Sequence, residues 1–413
     1  MRRRKAPTTN AKRSDVPPVA SQMKDADCAI VGASFAGLAC AIALAHAGIR
    51  VTVLERKGDV GEKLHTTGII VKDAIDQVAI LDRLPAELVR RITGVRLYAP
   101  NLKHVDLAAP GYYFLSTDTP QVMRWLAQRA EQAGARIEYR ALFRTATRIR
   151  NGFDLDEFGT TRFLVGADGP NSKVARAVGL GQSRQFLFGV EHEFSGVSFA
   201  DPDMLHCFLD RRLAPGYIGW IVAAPGGLQV GLAQRLRGRA RPMIGAMEAF
   251  LRKVAPIVDL RDTRPTSVRA GMIPCGGVVS PVAAPRVLLT GDAAGMVSPV
   301  TAGGIHNALK HGLASGHAVA DYLQGRCDDP SGWFVNSYPR FRVKRLLRFL
   351  FDRFQSDAMF DLLLQTKLIR ATASIVYFHH KGVFDIGTVR AQRRTPDGAD
   401  AADNDKGAAE TRR

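Results

Sequence analysis

The sequence predicts an α/β fold in which a dinucleotide-binding domain is interrupted by a domain built on antiparallel sheet and followed by a helical C-terminal segment. Three observations carry that expectation. Residues 27–57 read as a strand, a tight glycine turn, a buried helix and a second strand that ends on an acid. Two later apolar strands, at 163–165 and 287–290, each run straight into a segment that sets an aspartate among glycines. From 183 to 270, between those two segments, apolar runs replace helical periods until residues 244–254, the pattern of a sheet domain.

Composition sets the outer bounds. A chain of 413 residues, 46% hydrophobic, can bury the cores of two or three domains. The five cysteines at 28, 40, 207, 275 and 327 form no C-x-x-C pair, which fits a reducing, cytoplasmic compartment. No apolar run of the signal-peptide kind follows the basic residues 2–5. The net charge of +18 gathers at two places: residues 1–24 hold seven Lys and Arg against Asp15, and residues 340–353 hold six against Asp352. No nucleic-acid signature accompanies it, so the excess points to an anionic membrane surface and not to nucleic acid.

In chain order, the polar, basic residues 1–24 are expected to be a disordered tail. Residues 28–31, Cys-Ala-Ile-Val, make a strand of the kind buried on both faces. In Gly32-Ala33-Ser34-Phe35-Ala36-Gly37 the first glycine allows the turn and the last lets the following helix pack on the sheet. Backbone N–H groups at the helix start then face a pyrophosphate. Ser34 stands where a glycine is usual and is small enough to permit close approach. The helix is expected over 36–48, the second strand over 51–54, and Glu55, 23 residues after Gly32, is placed to accept from ribose hydroxyls. Residues 28–49 contain no Asp, Glu, Lys or Arg in 22 positions, enough to span a bilayer. The turn residues within them and the charges at 50 and 55–57 favour a soluble α/β unit.

The loop from Gly61 to Ile69, with His65-Thr66-Thr67, is either a ligand contact or a connecting turn. A hairpin is expected from residues 95–98 and 104–107 across Pro100-Asn101. A helix over 120–133 stops at Gly134 and leads to a strand at 135–139. Arg124, near the start of that helix, is either a surface charge or a phosphate contact. The segment Gly166-Ala167-Asp168-Gly169-Pro170 sets a carboxylate at the end of a strand, where ligands bind in open α/β sheets, or is a plain turn. The aromatics Tyr217 and Trp220 have the pattern of ordinary core. After strand 287–290 come Gly291-Asp292-Ala293-Ala294-Gly295, Pro299, and Gly303-Gly304, which opens a helix to about Leu323. Its first turn favours a partial negative charge. His306, His311 and His317 are not spaced i, i+4, so packing or solvent is expected for them and not metal. Residues 331–390 read as basic and helical, with Arg340, Lys344, Arg345 and Arg348 interleaved with Phe341, Leu347, Phe351 and Phe354. This is a solvated cap or a membrane-surface helix, and 391–413 are expected to be a second disordered tail. The expected division is therefore a discontinuous dinucleotide-binding domain (25–182 and 280–330), a substrate domain (183–279) and the helical segment (331–390).

With the three glycine and acid segments in this order, residues 25–330 resemble the flavoproteins of the para-hydroxybenzoate hydroxylase fold. Within that group the chain is similar to the geranylgeranyl reductase family. Two stretches carry the similarity: Gly291–Gly295 followed by Ser298-Pro299-Val300-Thr301 and Gly303-Gly304-Ile305, and Tyr217-x-x-Trp220 with Val230-Gly231-Leu232 on the next strand. The resemblance implies FAD bound in a Rossmann-type domain. Gly32, Ser34, Gly37 and Glu55 would hold its ADP half, with Arg124 near the pyrophosphate and Asp168 in the acid-glycine segment of that fold. Gly291 and Asp292 would lie on the ribitol or pyrophosphate side, and Pro299, Gly303 and Gly304 would bring a helix start to the N1/O2 edge of the flavin. Tyr217 and Trp220 would line the cavity of a long apolar substrate. The implied activity is that of an FAD-dependent oxidoreductase reducing carbon–carbon double bonds of an isoprenoid or other lipid. The alternative on the same fold is a flavin-dependent monooxygenase of an apolar or aromatic substrate. His65-Thr66-Thr67 stand where such reductases often carry Cys-Gly-Gly, and His65 is the candidate proton donor, histidine being the side chain that exchanges protons near neutral pH. The Trp-x-Trp-x-Ile-Pro element of halogenase relatives is not matched. No second dinucleotide fingerprint is present, which leaves the electron donor open between NADPH and ferredoxin.

Overall fold

The computed structural model describes residues 26–236, 243–364, 366–378 and 384–385. The tails expected at 1–24 and 391–413 lie outside them. The uncharged run that could have crossed a bilayer is divided between β1 (Ala26–Val31) and α1 (Phe35–His46), and β2 (Val51–Glu55) follows. Among the described residues no helix is long and apolar enough to cross a membrane. The helix-to-strand pattern repeats in α2 (Thr119–Gln132), which Asp118 caps, and β3 (Arg136–Tyr139). β4 (Thr160–Gly166) completes a parallel sheet in the order β3-β2-β1-β4. Its middle strands are covered on both faces, which is why they read as continuous apolar runs and not as alternating ones.

The chain then builds a second sheet from β5 (Phe186–Phe194), β6 (Met204–Phe208), β7 (Gly219–Ala224) and β8 (Gly227–Arg235). After α3 (Met243–Val254) it adds β9 (Ser267–Pro274), for an order β9-β5-β8-β7-β6. The hairpin expected near residue 100 forms from strands Gly94–Tyr98 and His104–Ala108, and its first strand pairs parallel with β6. Chain from inside the stretch 25–182 thus extends the second sheet. One face of this sheet is closed by α3: Met247, Phe250 and Val254 pack with Phe194, Phe208, Ile221, Val230 and Leu232. The other face turns toward the first domain.

β10 (Val287–Leu289) returns the chain to the first sheet, parallel to β4, and α4 (Ile305–Leu323) lies against α1. Glycines permit that contact at backbone distance. A methyl group at Gly312 would stand 2.4 Å from the Ala36 carbonyl oxygen, and one at Gly316 would stand 2.6 Å from Ala43 Cβ. His311 is buried between Thr290 and Ser315 at Nδ1 (3.3 and 3.2 Å) and Ser337 at Nε2 (3.1 Å), a packing role. The C-terminal part is largely helical, as its pattern predicts: after the short helix Pro330–Trp333 come α5 (Arg342–Phe354) and helices Asp357–Leu363 and Lys367–Phe378, and strand Phe384–Asp385 pairs with the strand His104–Ala108. All five cysteines are unpaired thiols.

Candidate cofactor and substrate site

The glycine turn has the shape that its spacing demands. A Cβ at Gly32, where φ is +100°, would lie 2.5 Å from the Ala167 carbonyl oxygen, and one at Gly37 would lie 2.1 Å from the Gly32 carbonyl oxygen. Ser34 does more than fit. Its hydroxyl accepts from the Gly37 amide (3.2 Å), capping α1, and donates to the Ala167 carbonyl (3.0 Å), which ties the turn to the acid-glycine segment after β4. In that segment Asp168 Oδ2 accepts from the amides of Lys173 (2.6 Å) and Val174 (3.1 Å), so the carboxylate caps the short helix Lys173–Ala177. Burial pushes its pKa up against those donors. Glu55 is buried at the end of β2 and accepts from Ala33 N–H and Lys57 N–H, both at 2.9 Å. Each carboxylate oxygen has a second lone pair, so Glu55 can brace the turn and still accept from ribose. Arg124 is exposed and engaged by Asp59 Oδ2 at 2.6 and 2.8 Å, and the pair lines a surface cleft of about 250 Å³ with Gln128 and Tyr139. The guanidinium holds the Asp59 carboxyl below its usual range.

The second half of the cradle follows β10. Gly291–Ala294 form a tight turn against α1, where a Cβ at Gly291 would meet Ala36 Cβ at 2.9 Å. Asp292 is half-buried, and burial pushes its carboxyl up to about 6. A methyl at Gly304 would lie 3.5 Å from Asp292 Oδ1, so the carboxylate stands beside the first turn of α4. The loop that carries Pro299 is closed by Ala302 N–H on Ser298 O and Ser298 N–H on Gly303 O, each 3.0 Å. Gly304 caps α4 without a side-chain hydrogen bond, which leaves the first-turn amides to a ligand's partial negative charge. A glycine cradle that any Cβ would fill, a buried acid at the end of β2 and an open helix start are the features that FAD requires, and the residues present fit it.

The face of the second sheet away from α3 supplies the other wall. Gly189 on β5 pairs with Gly271 on β9 and with Ala233 on β8, so three adjacent strands carry nothing larger than a methyl group there. To one side of this trough stand Leu187 and Ile273, packed with Tyr217. To the other side are Glu191, Gly231 and Trp220, in register across three strands. His65 closes the β9 end: a methyl at Gly271 would lie 2.6 Å from its Cβ, and its Nδ1 is 2.5 Å from the Ala270 carbonyl. Since a carbonyl can only accept, Nδ1 carries the hydrogen, and Nε2 is the nitrogen left to exchange a proton. Tyr217 is buried and donates its hydroxyl to the Thr301 carbonyl (2.5 Å), which joins the sheet to the loop before α4, and burial pushes its pKa up. Trp220 donates Nε1–H to Glu191 (2.9 Å) and lies flat over Gly231.

The structure therefore brings His65, Tyr217 and Trp220 to one face. Glu191 and Arg269 were missed from the sequence, Glu191 because Phe186–Phe194 reads as an apolar run, whereas Thr67 lies in the loop singled out as a ligand contact or a connecting turn. The signal was there in Glu191 and Glu193, two acids with side chains on the same face of a largely apolar strand. Arg348, expected among the surface charges of the helical segment, is instead buried in α5, where it donates to the Gly216 carbonyl and to Asp352.

The family model described as FAD binding domain matches residues 25–342. Digeranylgeranylglycerophospholipid reductase 2 of Methanopyrus kandleri is 29% identical over 328 residues, covering 76% of this chain and 81% of that protein. The digeranylgeranylglycerophospholipid reductase of Methanocaldococcus jannaschii is 28% identical over 316 residues, 72% of this chain and 78% of that one. Among solved structures, a geranylgeranyl bacteriochlorophyll reductase-like protein from Thermoplasma acidophilum superposes with a TM-score of 0.74 at 17% identity, over 89% of this chain and 99% of that chain. A probable FAD-dependent monooxygenase from Pseudomonas aeruginosa gives 0.63 at 16% identity, over 82% and 99%. Matched over most of its length, with the glycine cradle, Glu55 and the open start of α4 in place, the chain belongs to the FAD binding domain family and is an FAD-dependent oxidoreductase.

Proposed function

We propose that the protein reduces carbon–carbon double bonds of an isoprenoid lipid. The observation that carries this reading is the small-residue patch Gly189–Gly271–Ala233, bounded by His65, Tyr217 and Trp220 and tied to the loop before α4 through Tyr217. An apolar patch of small residues suits a prenyl chain, which has methyl branches and no polar group to satisfy. When bound and reduced, FAD supplies the hydride. The chain's own residues hold and orient the lipid, exclude water and deliver the proton. Tyr217 and Trp220 have their polar atoms engaged within the protein, so they would line the site, and His65, when protonated on both ring nitrogens, would give the proton from Nε2. The substrate class named for the methanogen relatives supports the same reading.

The partner that fits such a substrate is an anionic membrane surface. α5 exposes Val343, Leu346, Phe349 and Phe354 at 59–71% beside the exposed Arg342, Arg345 and Arg353, and apolar groups presented that way on a soluble face mark an interaction surface. On its inner side Arg348 and Gln355 grip the Gly216 backbone next to Tyr217, which sets the exposed face close to the trough. The test of the activity is mass spectrometry of the products formed from polyprenyl lipids, with NADPH and with reduced ferredoxin as electron sources. A gain of two hydrogens per reduced bond supports the reading. A gain of one oxygen atom, formed only in air, establishes a monooxygenase instead.

A further inference from the structure

Glu191 has no part in holding the cofactor, yet it is a carboxylate 4% exposed in the interior of the second sheet. A buried charge is retained only where donors surround it, and here they come from three different elements. Arg269 Nη1 donates to Oε1 at 3.2 Å from the neighbouring strand β9, and its Nη2 donates to Glu193 at 2.7 Å. Thr67 Oγ1 donates to Oε2 at 2.5 Å from the loop after β2. Trp220 Nε1 donates to the same oxygen at 2.9 Å from β7. Trp220 stands two strands from Glu191, roughly 10 Å at ordinary strand spacing. It reaches only because the intervening residue is Gly231: a methyl there would fall 2.3 Å from Trp220 Cζ2. The ion pair with Arg269 accounts for two strands of the sheet. The other two donors are the indole that edges the trough and the loop that carries His65.

We infer that Glu191 is a positioning residue of the substrate site, whose single carboxylate fixes the Trp220 indole and the His65–Thr67 loop relative to each other and so sets the width of the trough. Hydrogen bonds to an ionised acceptor are the strong ones, and a glutamine cannot replace this one. Its amide has one acceptor oxygen and one NH2, so either Arg269 or Trp220, neither of which can accept, would meet a donor.

The test rests on the lipid-reductase reading for its kinetic half only. In FAD-loaded protein with Trp125→Phe and Trp333→Phe, Trp220 is the sole indole. Glu191→Gln should make its emission more accessible to acrylamide and should raise KM for a polyprenyl lipid about tenfold, the weight of one hydrogen bond to a charged group. Little change in kcat or in FAD affinity should accompany it. Thr67→Val, which removes one donor and leaves the carboxylate, should raise KM in the same direction, and the double variant should be no worse than Glu191→Gln alone. Unchanged quenching and KM in Glu191→Gln, or effects of the two substitutions that multiply, would overturn the inference. If Glu191→Gln does not fold, Thr67→Val decides alone, an unchanged KM overturning it. If the wild-type protein reduces no lipid, the functional reading fails, while Trp220 quenching still decides the role of Glu191.

Discussion

At the scale of single residues, side chains that looked like cofactor ligands turn out to shape the site as well. Glu55 fixes the Ala33 amide of the turn that it was expected merely to face, and the Lys57 amide just beyond its own strand. Glu55→Ala should therefore weaken FAD and also lower the melting temperature, since Ala33 and Lys57 lose a charged acceptor worth about 1.5–3 kcal/mol each. Fluorescence titration with FAD should show a loss of roughly ten- to a hundredfold, and undiminished affinity would contradict this map. The residue types in this motif were legible from spacing. Ser34 was legible as a tolerated substitute, but its two hydrogen bonds were not, because the carbonyl it reaches lies 133 residues away. Glu191 was hidden for the same reason: its donors come from residues 67, 220 and 269, and no local pattern announces them.

At the scale of elements, the sequence placed α1, α2, α4 and most parallel strands of the first domain to within about two residues, the usual scatter of helix ends, while β4 starts three residues before its expected bound and the short helix Lys173–Ala177 was not expected. Continuous burial of β1 and β2 is a local property, so it can be read locally, whereas the caps Ser34 and Asp118 were not read. The role of α5 was only half legible. Its charges and aromatics were evident, but which arginines face solvent depends on what the helix packs against. Arg348 turns inward to Gly216, whereas Leu346 and Phe349 turn out. Replacing Leu346 and Phe349 with Asp should reduce binding to anionic vesicles by at least tenfold by sedimentation, since each loses about 1.5–3 kcal/mol of buried apolar contact. The residual binding should fall further with salt, as surface electrostatics do. Equal binding of the wild type to neutral and anionic vesicles would rule out the electrostatic part.

At the scale of the whole molecule, the proposed site lies where the cofactor cradle of the first domain meets one face of the second sheet. The first sheet and α4 present the cofactor cradle, and the second sheet presents a patch of small residues. Tyr217 on Thr301, Thr67 on Glu191 and His65 on Gly271 fasten the two together. The sequence showed that a sheet domain interrupts the first domain. It did not show that residues 94–108 leave the first domain to join that sheet, because the pairing partner lies about a hundred residues downstream. The central claim is that this site brings a prenyl double bond to reduced FAD with His65 as the proton source. Its most direct test is a single turnover in which the holoprotein is reduced without oxygen and mixed with a polyprenyl lipid in a stopped-flow cell. The account predicts that the oxidised flavin's absorbance returns at a rate that rises with lipid concentration, and that His65→Ala slows the return while retaining FAD. Flavin that stays reduced with the lipid and reoxidises only when air is admitted would contradict it.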